Sequence, residues 1–107
     1  MKKTVKMIIN RREEVLMEVE FPIYSQHDLT DHYPCVYYRR HDADGRRMTI
    51  HYSDHGRGPS YELKVERNVA LEASDPDYPL GRGQFACTAE EFNNILRDAV
   101  ELAESMK

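Results

Sequence analysis

The sequence predicts an α+β fold. It is an antiparallel meander of four to five strands, two N-terminal hairpins plus a long strand, with one C-terminal α-helix packed on its apolar face. Three observations predict it: apolar residues alternate in several runs, a turn signal lies between two of those runs, and the last twenty residues switch to helical spacing. At 107 residues there is room for a single α+β domain spanning 1–107.

The first hairpin rests on parity. Val5, Met7 and Ile9 alternate with polar neighbours, and so do Val15, Met17, Val19, Phe21 and Ile23. A loop at Arg11, Arg12 and Glu13 would set Ile9 opposite Val15 and Met7 opposite Met17. A short helix over residues 10–17 competes, because RREEVLME is rich in helix formers. Pro22 places the end of the second strand nearby. The stretch SQHDLTDHYP is polar, ends in proline and reads as a loop.

The second hairpin turns at Asp42-Ala43-Asp44-Gly45. A three-residue loop closed by a left-handed glycine pairs Asp42 with Arg46. Val36, Tyr38 and Arg40 then share a face with Met48, Ile50 and Tyr52. Cys35, Tyr37, Arg39, His41, Arg47, Thr49, His51 and Ser53 share the other. A one-residue slip would invert one strand's faces, which argues against a shorter loop. SYELKVERNVALEA alternates through residues 60–73, and its unbroken parity favours one strand bent at Arg67 over a turn at 66–68. SDPDYPLGRGQ, rich in Pro and Gly, reads as a long loop.

The helix has a legible start. Thr88 suits the N-cap, Glu91 completes a capping box, and Cys87 and Phe92 stand where a hydrophobic staple belongs. Phe92, Ile95, Leu96, Ala99, Leu102, Ala103 and Met106 then form one apolar stripe.

Composition narrows the function. The formal net charge of −4 does not suit a general polyanion binder, and the acidity is uneven: residues 1–67 balance to +1, residues 68–107 to −5. Two cysteines make no disulfide framework. No apolar run approaches a membrane span, and the start lacks a signal peptide's apolar region. These features point to the cytoplasm and away from a membrane.

The segment HDLTDHYPC, residues 27–35, concentrates metal-ligand types, and all five histidines fall between 27 and 55. The hairpin register tests convergence. His41 lies four residues from His51 along the ladder, roughly 13 Å at about 3.3 Å per residue, too far to share one zinc. His32, Cys35, His51 and His55 can gather at the open end of the hairpin and form the candidate metal set. They lack the close-spaced pairs of a specific zinc motif.

Catalysis has less support. Cys35, His51 and Asp54 could be drawn together, but nothing visible activates Cys35, and the staple position of Cys87 suits packing. No P-loop or dinucleotide fingerprint occurs, so no cofactor is implied. Single-stranded nucleic acid is a better alternative: Tyr37, Arg39, His41 and Arg47 lie on the solvent-facing side of the hairpin, with Arg40 and Arg46 near its tip. Asp42 and Asp44 at that tip oppose it. The main expectation is a small non-catalytic interaction module whose partner is a protein or a second copy in a homodimer. Strand edges need partners, and Ile8, Leu16 and Val36 or Tyr37 could leave apolar atoms on the outer face.

Overall fold

The computed structural model describes residues 1–10, 13–69, 71–72 and 87–106. The strands are β1 (Lys2–Asn10), β2 (Glu13–Glu20), β3 (Ile23–Asp28), β4 (Cys35–His41), β5 (Arg47–Asp54), β6 (Pro59–Glu66) and β7 (Leu71–Glu72), followed by α1 (Ala89–Glu104). The class is α+β, with a meander and a C-terminal helix as the sequence predicts. The strands divide between two sheets, ordered β2-β1-β7 and β3-β4-β5-β6.

Asn10 and residues 13–17 are strand rather than helix, so the alternation of apolar side chains outweighs local helix propensity. The register of this first hairpin differs by two residues from the expected one. Met7 pairs with Val15 and Val5 with Met17, with a bulge between Ile8 and Asn10. The shift preserves parity, so the buried set survives: Met7, Val19, Phe21 and Ile23 form one core, flanked by Val5, Met17 and Ala43. Ala43 belongs to the tip of the second hairpin. Lys3 Nζ donates to its carbonyl at 2.8 Å, tying the first hairpin to that tip.

SQHD is not loop. Residues 25–28 continue β3, which starts after Pro22 and pairs with β4 from Ile23↔His41 to Asp28↔Val36. Its polar residues hide it from a hydrophobic-pattern reading, yet Ser25 is fully buried. The true loop, 29–34, is fastened by Asp28. Its Oδ1 accepts from the Thr30 amide at 2.9 Å and the Thr30 hydroxyl at 2.6 Å, bonds that hold the carboxyl below its ordinary range.

The β4–β5 hairpin follows the expected register throughout, from Cys35↔Ser53 to His41↔Arg47. The Asp42 amide donates to the Arg46 carbonyl at 2.9 Å, and Gly45 takes φ of 85°. The long bent strand is a correction. β6 stops at Glu66, and Asn68 takes the left-handed conformation with φ of 57°. The chain then joins the other sheet, where β7 runs parallel to β1. Asparagine tolerates this backbone better than most residues. Strand parity carries no information about a single dihedral, so the break left no mark on the pattern. The expected loop over SDPDYPLGRGQ lies outside the described residues.

Thr88 caps α1 by accepting from the Glu91 amide at 3.0 Å. The helix packs on the face of the four-stranded sheet that carries Val36 and Ile50, and Phe92 and Ala99 are buried there. Phe92 meets Tyr24 of β3 at 5.5 Å between ring centroids, and the Arg40 guanidinium of β4 stands 5.9 Å from its ring. Further along, burial and then the nearby Asp98 carboxylate raise the pKa of the Tyr61 hydroxyl of β6. The helix therefore crosses from β3 and β4 towards β6. Ala99 is its last buried residue, and the later apolar positions Val100, Leu102 and Met106 are exposed.

Candidate functional site

Two surfaces deserve the name of candidate: the polar face of the four-stranded sheet and the outer edge of β6. On the polar face the registers stack residues in rows: His27, Tyr37, His51 and Glu62 in one, Ser25, Arg39, Thr49 and Lys64 in the next. Tyr37 and His51 are stacked, with centroids 4.5 Å apart and planes 10° from parallel. The Arg39 guanidinium lies 5.3 Å from the Tyr37 ring centroid, and its Nε donates to Thr49 Oγ1 at 3.3 Å.

The five residues expected to contact nucleic acid do not act as one patch. Tyr37, Arg39 and Arg47 share the polar face, but Arg47 donates twice to Glu66 Oε1, at 3.1 and 2.7 Å. This pairing holds the Glu66 carboxyl below its ordinary range. Arg40 lies on the opposite, helix-covered face, 3.1 Å from Asp42. Arg46 pairs with Asp44 at 2.7 Å at the tip. His41, expected on the solvent side, is 4% exposed, because the first hairpin covers that end of the sheet.

The candidate metal set converges in part. Cys35, His51 and His55 line one open cleft of about 350 Å³ with Tyr33 and Pro34. His32 does not line it; it sits exposed in the 29–34 loop, its amide bonded to the Leu29 carbonyl. Within the cleft, His51 is committed to its stack on Tyr37 and stands 3.9 Å from Glu62. Among the described residues no three His, Cys, Asp or Glu side chains are placed to hold one ion. Cys87, the other thiol, is pushed up to about 12, first by burial and then by the Glu91 carboxylate, which keeps it protonated and unreactive at neutral pH.

The β6 edge was not singled out by the sequence. β6 is the last strand of its sheet, and among the described residues no strand lies on its outer side. Leu63 is 45% exposed and Val65 60%, on the same face as the helix. Glu62 and Lys64 alternate with them on the polar face and are exposed. The β2 edge differs. Leu16 is exposed there, as expected, but β2 carries Glu13, Glu14, Glu18 and Glu20 and no basic residue. An edge of one charge sign repels a copy of itself. Of the other residues expected on the outer face, Val36 is buried against the helix side, and Ile8 and Tyr37 are half-buried.

Among the described residues no helix is long and apolar enough to cross a membrane. Comparison with protein-family models, with curated proteins and with solved structures finds no match.

Proposed function

We propose that this chain is a small, non-catalytic, cytoplasmic interaction module that works by associating with another protein chain, most simply a copy of itself, through the β6 edge. One observation carries the reading: an eight-residue edge strand presents Leu63 and Val65 to solvent beside an exposed helix end. An open edge offers unpaired backbone donors and acceptors, and strand addition satisfies them while covering the apolar side chains. Sedimentation velocity across the micromolar range tests it. The wild type should form a dimer and Val65→Lys should lose it. A wild-type monomer at every concentration overturns the reading.

A second reading has its own observation, the Tyr37–His51 stack with Arg39 beside it. Stacked rings next to a guanidinium suit an unpaired base and its phosphate. The pairing of Arg40, Arg46 and Arg47 with acids weakens this reading. An anisotropy titration with a single-stranded oligonucleotide at low salt decides it: salt-dependent binding lost in Tyr37→Ala supports it, and a flat titration removes it.

A further inference from the structure

We infer that the partner at the β6 edge is a second copy of this chain, paired antiparallel about a two-fold axis at Leu63, so that the two sheets join into one of eight strands. The inference rests on the reading of β6 as the contact edge and adds the occupant and the register.

Directly opposed residues of an antiparallel pair share a face, so symmetry permits few registers. With the axis at Leu63, residues 60–66 of both copies overlap. Leu63 meets Leu63, Tyr61 meets Val65, and Glu62 meets Lys64 on each side of the axis. Every apolar residue then opposes an apolar one and every Glu62 opposes a base. Moving the axis to Lys64 sets Lys64 against Lys64 and Glu62 against Glu66. At Val65 only residues 64–66 of the two strands overlap. An axis between residues places apolar side chains opposite charged ones. The alternation of Glu62, Lys64 and Glu66 thus selects one register by charge, where β2, whose charged residues are all glutamate, offers no opposite-charge pairing to select one.

The helix supports the same partner. A stable pair needs about 800 Å² from each subunit, more than one strand edge offers. The axis at Leu63 puts both helices on one side of the joined sheet. Each helix heads towards β6 and exposes Val100, Leu102 and Met106 beyond its last buried residue. In the pair the exposed end of each helix approaches the seam, where Leu63 and Val65 of the second copy are otherwise bare.

Charge reversal tests the register. Glu62→Lys and Lys64→Glu each replace two opposite-charge pairs per dimer with two like-charge pairs, and both positions are exposed, so both variants should keep the wild-type circular dichroism spectrum. Sedimentation should show the dimer dissociation constant raised about tenfold in each single variant. The combined Glu62→Lys, Lys64→Glu protein should return to within about threefold of wild type. If Val65→Lys abolishes the dimer but the combined reversal does not recover it, the register is wrong and the β6 edge stands. If the wild type is monomeric, both fall.

Discussion

Phe92 is the residue on which the helix most depends. It is fully buried against the Tyr24 ring and beneath the Arg40 guanidinium. Phe92→Ala leaves a cavity between these neighbours, and urea denaturation should show a loss of about 3–5 kcal/mol. Cys87, the residue before the cap, makes a different prediction. The thiol rises from an ordinary 9.0 to about 12 in the folded chain. A raised value means that the neutral form is favoured by folding. Its contribution to stability is full below the unfolded value and is lost as pH rises from about 9 towards 12. Iodoacetamide at pH 8 should therefore modify Cys87 far more slowly in the folded protein than in urea; equal rates would contradict the burial described here. The Thr88 cap and the burial of Phe92 were legible in the sequence, because a cap uses a fixed offset from the first helical residue and Phe92 opens the apolar stripe. Ser25 was not, since a buried serine has no distinguishing neighbour pattern.

At the scale of elements, legibility followed how many independent signals agreed. The β4–β5 register was readable because the turn chemistry at Asp42–Gly45 and the sorting of faces give the same answer. In the first hairpin only parity was available, and parity is unchanged by a shift of two residues, so the faces were right and the pairing was not. β3 was hidden by its own polarity. The break at Asn68 was hidden because alternation continues through it. That break is where the chain returns to the first sheet, and its strain is testable: with φ at 57°, Asn68→Val should cost about 1–2 kcal/mol, whereas Asn68→Gly should be tolerated. Similar stability of the two variants would mean that the left-handed residue is not maintained in solution.

For the whole molecule, the division into two sheets determines which surface remains for a partner. The first hairpin closes over the β4–β5 tip and buries His41, and α1 covers the middle of the opposite face. Among the described residues, what is left open at one side is β6 with the end of the helix. The sequence could indicate that some strand edge needed a partner, but not that β6 is last in its sheet, because strand order is set by tertiary pairing. For the same reason the histidine and cysteine cluster looked more convergent than it is: the register brings Cys35, His51 and His55 to one cleft, while Tyr37 takes up the His51 ring. The central claim is that β6 is where this protein meets its partner. Amide hydrogen exchange at low and high protein concentration tests it most directly. Protection should rise with concentration at residues 60–66 and in the last turns of α1, with β2 unchanged. A dimer whose protection rises elsewhere while β6 stays the same would contradict the account.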